Sequence, residues 1–288
     1  IEDLLVELKI VAKALETVAE GNHKITVTDK PKVILSADKV VFPGQGAIGQ
    51  CMQSLEEKKL DNVIKQCILK KPFLGIYVAN QSVVLSSIDS DAFTKAKHVD
   101  YWGHYPIADL EFEAKIPLNV GLRAFAPFLP GDPTNSNTPG AIFEVCLRNS
   151  STTEQNGTIA FSFHGPRQEE MAFNAHGLGQ VISKRAESQH QRINGDLNGI
   201  AVDTKLDEMT YSYVLATSKG NQVSIGGEIQ DGDWNHLGTS LPSPSQDHAG
   251  SSIAVEFSIA PGESHTIPFF LSWYAPIWRA RGRYEPTN

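Results

Sequence analysis

Cysteine is scarce in this sequence: 3 in 288 residues, at Cys51, Cys67 and Cys146, with no C-x-x-C spacing. An odd, scattered set of thiols excludes a disulfide framework and a zinc ribbon, and is read as reduced packing groups. A basic surplus is missing too. The net charge of −8 and pI of about 5.6 argue against nucleic acid or a membrane surface as partner, since neither polyanion is drawn to such a chain. No apolar run approaches the ~20 residues of a membrane span. Glu2, Asp3 and Glu7 stand where a secretory signal would be basic, so a cytoplasmic protein is expected. His164, His176, His190 and His236 are scattered without ligand spacing. Neither a metal nor a cofactor is expected. Internal repeats and long low-complexity stretches are also absent. Asn80, Asn149 and Asn156 each head an N-x-S/T triplet, to which little weight attaches without a secretory signal.

What remains is a chain with 41% hydrophobic residues, enough for a conventional core. It is written in two patterns. Over residues 1–81 helix and strand signals alternate. Leu5, Leu8, Val11, Ala12, Leu15 and Val18 share one helical face, and Gly21 is a natural stop. Short strands "HKITVTD" and "ADKVVF", a "PGQG" loop, two helical stretches and a buried strand "PFLGIYV" follow. The order predicts half of an open α/β sheet.

From about residue 105 the period becomes two. Ala141, Phe143, Val145 and Leu147 share a face, as do Ile159, Phe161 and Phe163, with Asn156-Gly157 read as a turn between those strands. Ile253, Val255, Phe257 and Ile259 precede a Pro261-Gly262 turn, and Ile267, Phe269, Leu271 and Trp273 follow it, which reads as a hairpin. The predicted fold is mainly β: a two-sheet antiparallel β-sandwich over 82–288, preceded by a partial α/β half-domain over 1–81.

The stretch from Val11 to Ile76, containing "PGQGA" at Pro43–Ala47, closely resembles the front of class I glutamine amidotransferases, specifically the glutaminase subunit of imidazole glycerol phosphate synthase. The resemblance implies that Gly44 and Gly46 lie by an oxyanion site, where glycine lets backbone N–H groups approach a tetrahedral intermediate. The family's next motif is a strand-to-helix elbow, Gly-Ile-Cys-x-Gly-x-Gln. Gly75, Ile76 and Gln81 match it, but the nucleophile position holds Tyr77 and the second glycine is Ala79. A phenol with pKa ~10 cannot supply a thiolate. Cys67 lies in a helix before the strand and does not replace it. No glutaminase activity is expected, and "PGQG" reads as a tight strand-to-helix loop.

"YPIADLEFE" at Tyr105–Glu113, "GLRAFAPFLPGD" at Gly121–Asp132, "SNTPGAIFEVCLRN" and the late "SIAPGESHTIPFFLSWY" resemble, in order, the N-terminal domain of glycoside hydrolase family 116, which includes β-glucosidases and the non-lysosomal glucosylceramidase. That domain is a β-sandwich packed on an (α/α)6 barrel, and both catalytic carboxylates belong to the barrel. No catalytic residue carries over. The sequence closes on "RARGRYEPTN" without barrel helices, so a helical catalytic partner is expected on another chain. Carbohydrate is a second candidate partner, and a synthase barrel docked by the amidotransferase-like half a third.

Asp109, Glu111 and Glu113 alternate along "ADLEFE" and are expected on one strand face about 7 Å apart. That spacing approaches a glycosidase pair, yet the apolar Leu110 and Phe112 between them point to a solvated or interdomain acidic face. The loop "FLPGDPTNSNTPG" supplies the binding or interdomain candidates: Phe128, Pro130, Asp132, Ser136 and Asn137. Its short polar side chains also suit a self-capped surface loop. Trp273, Tyr274 and Trp278 could stack on a sugar, but alternation puts Trp273 in line with the core set.

Overall fold

The computed structural model describes residues 26–28, 30, 32–33, 73–104, 106–136, 138–166, 186–206 and 209–275. The α/β elements expected before residue 73, with Gly44, Gly46, Cys51 and Cys67, lie outside the described residues, as do Asn137, His176 and Trp278. The described strands belong to a compact unit built from Pro72–Ala172 and Ile182–Trp278.

Alternating apolar residues make the strands, and the strands make two antiparallel sheets. One has 5 strands in the order β11(Val223–Gly227), β12(Ser251–Ile259), β7(Gln155–Phe163), β1(Leu74–Val78), β2(Gln81–Val84). The other has 8: β3(His98–His104), β4(Ile107–Glu113), β5(Leu118–Phe125), β6(Gly140–Asn149), β13(Ser264–Tyr274), β10(Met209–Ser218), β9(Leu197–Leu206), β8(Glu187–Ile193). The main core lies between them. Leu74, Ile76, Ile159, Ile253 and Val255 from the smaller sheet meet Val120, Val145, Leu215, Ile267 and Phe269 from the larger. Phe161 joins this set through rings whose centroids lie 4.9 Å from Phe143 and 5.5 Å from Phe269. Such tilted pairs add to the area the aromatics remove from water.

The outer face of the smaller sheet is covered as well. A short 3₁₀ helix, Asp231–His236, lays Trp234 over it, and Trp234 and Leu237 pack with Val84, Ala160, Ile229 and Ala254 in a second cluster. Gly75 makes that approach possible: a Cβ there would lie 2.7 Å from the Trp234 ring and 2.9 Å from Leu237.

Several sequence expectations change here. "LGIYV" is a buried strand, but it pairs antiparallel with β2 and β7 in the sandwich rather than in a parallel α/β sheet. The elbow position is not strand-to-helix. Val78 pairs with Gln81, leaving the two-residue loop Ala79-Asn80, with φ of 51° and 60°. Positive φ at both central residues is the signature of a type I′ hairpin, whose twist matches that of its strands.

Asn156-Gly157 is not a turn. Both residues lie inside β7, because a Cβ at Gly157 would come 2.2 Å from the Tyr77 carbonyl oxygen and only glycine lets β1 pair there. Nor do β6 and β7, or β12 and β13, form hairpins: each pair has one strand in each sheet. The links are crossovers between sheets, stitched by Asn149. Its amide donates to the Ile259 and Thr153 carbonyls at 2.8 Å, and its backbone exchanges bonds with Gly262 and Glu263. At 2% exposure Asn149 is unreachable for glycosylation, so its triplet is structural.

Candidate functional site

The loop between β5 and β6 builds its own rigidity from short-range bonds. Asp132 caps the short helix α1(Pro133–Ser136): its Oδ1 accepts from the Asn135 N–H at 3.0 Å, with proline at the first helical position. The Asn135 bonds, backbone first and then side chain, hold the Asp132 carboxyl below its ordinary pKa. Ser136 Oγ accepts from Leu129 N–H at 2.8 Å and lies 3.0 Å from the Leu129 carbonyl, to which it also donates. The Thr138 hydroxyl donates to the Asn135 carbonyl at 2.9 Å. Asp132 and Ser136 are therefore occupied in shaping the loop, while Phe128, Leu129 and Pro130 are exposed, Phe128 at 44%.

The end of β13 is fastened to the same loop. Trp273 N–H and Ser272 Oγ both donate to the Pro139 carbonyl at 3.0 Å. Trp273 shares a face with Tyr213, its cross-strand partner, as alternation requires. It is nonetheless 48% exposed, because Leu271 is the last core member of β13 and Trp273 lies one pleat beyond it. The core assignment is thus corrected. Tyr274 is exposed beside it.

Asp109, Glu111 and Glu113 do share the outer face of β4, and each meets a cation. Asp109 Oδ1 accepts from Arg123 Nε at 2.8 Å, Glu113 from Lys97 Nζ at 2.6 Å, and Glu111 from Arg148 Nη2. The Asp109 hydrogen bond and charge raise the Arg123 pKa. Burial acts against the Arg148 guanidinium, but the bond to Glu111 and its charge outweigh that and raise it. Glu111 reaches Arg148 across β5 because Gly121 stands between them without a side chain, where a Cβ would lie 2.8 Å from Glu111 Oε1. Three salt-bridged carboxylates are a poor setting for glycosidase acid chemistry, which needs one carboxyl kept protonated in apolar surroundings.

Tyr77, the residue at the elbow's nucleophile position, packs its ring on Gly238, where a Cβ would lie 2.4 Å from it. Its hydroxyl donates to Asn80 Oδ1 at 3.3 Å. Gln81 is exposed at the start of β2. Among the histidines, His164 Nδ1 lies by the Gly165 carbonyl and His190 Nε2 lies 3.1 Å from the Gly250 carbonyl, while His236 is exposed at the end of the 3₁₀ helix. No group of three metal-ligating side chains occurs among the described residues, and no described helix is long and apolar enough to cross a membrane. Cys146 is a free, partly buried thiol. Sequence reasoning missed Trp234, since a lone tryptophan in loop text carries no periodicity that marks it as core.

Residues 56–285 match the family model described as beta-glucosidase 2, glycosyl-hydrolase family 116 N-term. The chain belongs to this family of N-terminal domains. Apart from that match, the family 116 sandwich carries an amidotransferase-like segment. It is 45% identical over 80 residues to imidazole glycerol phosphate synthase subunit HisH of Methylococcus capsulatus, covering 28% of this chain and 36% of that one. The HisH subunit of Nitrosococcus oceani is 49% identical over 77 residues, 27% of this chain and 36% of that one. The chain thus spans about a third of the length of the curated relatives it matches. Among solved structures, an alpha-galactosidase from Lactobacillus brevis aligns with 72% of this chain and 29% of its own, at 7% identity and TM-score 0.31. The GH36 alpha-galactosidase AgaB from Geobacillus stearothermophilus aligns with 72% and 30%, at 9% identity and TM-score 0.30. Both are too distant to bear on the chemistry of the family 116 sandwich.

Proposed function

We propose that this chain is a noncatalytic accessory β-sandwich of a glycosyl hydrolase of the β-glucosidase or glucosylceramidase type, fused to a degenerate amidotransferase-like segment. It packs against a helical (α/α)6 catalytic domain. The observation that carries this reading is the exposed apolar set at one end of the larger sheet: Phe128 and Leu129 on the self-capped loop, Trp273 and Tyr274 on the strand bonded to it. Rigid aromatic groups held out of the core on an ordered loop suit an interface, because little side-chain entropy is lost when they are covered. The ion-paired row on β4 supports an accessory rather than a catalytic role. A cytoplasmic location goes with this reading, and the free Cys146 thiol is compatible with a reducing compartment.

The test is to mix the purified chain with a family 116 helical catalytic domain expressed without its own sandwich. Size-exclusion chromatography and hydrolysis of an aryl β-glucoside are the readouts. The chain alone is expected to give no turnover, the mixture a complex, and Phe128→Glu combined with Trp273→Glu a loss of that complex. Turnover by the chain alone, or a complex indifferent to both substitutions, would overturn the proposal.

A further inference from the structure

A groove of about 640 Å³ lies at the opposite loop cluster, away from the Phe128–Trp273 end, where β1, β7 and β12 meet the loop between β10 and β11. Its floor is fixed by register. Tyr77 is directly opposite Thr158, and Thr158 directly opposite Glu256, so the three side chains form one row across three neighbouring strands. Gly157 beside this row has no side chain, and it cannot gain one without striking the Tyr77 carbonyl. The Tyr77 ring is backed by Gly238, which fixes the aromatic edge of the groove. Asn221 and Gln222 form the wall, with His265 at the rim. Asn221 is held in place by its bond to Thr217 Oγ1 at 3.0 Å, and the Gln222 carbonyl accepts from Glu256 N–H at 3.3 Å, tying wall to floor.

The side chains of Thr158, Gln222 and Glu256 have no hydrogen-bond partner among the described residues, although the groove gathers them together. The lining contains no lysine or arginine, the side chains that bind phosphate, sulfate or carboxylate most strongly. Phe257, the phenylalanine of the lining, is only 6% exposed. What the groove does offer is hydroxyl, amide and carboxylate groups beside one fixed aromatic ring, in a volume within the ordinary range of small-molecule sites. Vicinal hydroxyls need both donors and acceptors, and the C–H face of a pyranose packs on the electron-rich face of an aromatic ring.

We infer that this groove binds a neutral oligosaccharide of a few sugar rings, as a site separate from the docking end. Glu256 and Gln222 hydrogen-bond its hydroxyls and Tyr77 lies against a ring. The inference does not depend on the docking reading, and the test keeps the two apart. The full chain is titrated calorimetrically with cellotetraose and maltotetraose, and with a tetragalacturonate as the charged control. Saturable binding of a neutral tetrasaccharide is expected, with the galacturonate weaker by about threefold because the exposed Glu256 repels it. Glu256→Ala and Gln222→Ala each weaken binding by about tenfold, the worth of one or two hydrogen bonds to hydroxyls. Phe128→Glu leaves affinity unchanged. Glu256 and Gln222 are both exposed, so these variants keep the wild-type melting temperature. No saturation by either neutral sugar at about 10 mM, galacturonate binding as tight as the neutral sugars, or affinity unmoved by both alanine variants would overturn the inference.

Discussion

The two sheets bury their faces differently. The smaller one has apolar cover on both sides over part of its length, the main core on one and the Trp234 cluster on the other. Its interior strand β12 accordingly reads continuously buried over its first five residues, with Ile253, Ala254 and Val255 all below 5% exposure. On the larger sheet β9 alternates from Ile200 to Leu206, and the outward positions of β4 carry paired charges. A strand covered on two sides loses its period of two, and a strand covered on one side keeps it. The chain thus uses local patterning where water remains on one face and shape complementarity where it does not. Gly75 and Gly238, each tight against an aromatic ring, both belong to the second case.

The largest test of that contrast is Trp234→Ala. Removing a side chain that is 1% exposed opens a cavity over β1 and β7 and is expected to destabilise the unit by about 3–5 kcal/mol, measured by urea unfolding. A loss under about 1 kcal/mol would mean that the outer cover of the smaller sheet is incidental. The corresponding change on the larger sheet, Glu111→Ala, is expected to cost no more than about 1 kcal/mol, since the Glu111 and Arg148 side chains are 42% and 36% exposed and water screens them. If the two substitutions cost the same, the distinction between the faces fails.

The smallest effect concerns His190 on β8. Burial is the main cause that lowers its pKa from the ordinary 6.5, and the bond to the Gly250 carbonyl opposes this. The unfolded chain then binds the proton more readily, so stability is fully present above pH 6.5 and declines as the pH falls through the lowered folded value. His190→Gln should flatten the fall of the melting temperature below pH 6.5 relative to wild type. An unchanged slope would assign that dependence to other groups.

The loop between β5 and β6 was readable in advance because its bonds span only three to seven residues: Asp132 to Asn135, and Ser136 to Leu129. Turn chemistry is local, and so is its sequence signal. The exposure of Trp273 was not readable, because alternation gives a side chain's face but not how far the opposite layer extends. The groove at Tyr77 was still less accessible. Its walls come from positions such as Tyr77, Thr158, Gln222 and Glu256, far apart in the chain and joined only by strand register.

Period-two patterning by itself determined that the chain from β6 onward is strand-rich and which residues of β6, β7, β12 and β13 face inward. Family-specific motifs marked out two unrelated sequence types along the chain. Only the tertiary structure decided strand partners. It made crossovers of Asn149–Gln155 and Ile259–Ser264, the second of which reads as a hairpin in sequence, and drew "LGIYV" into the sandwich. The physical reason is that periodicity records which face of a strand meets the core, whereas pairing is settled by long-range packing and by close approaches that single glycines permit.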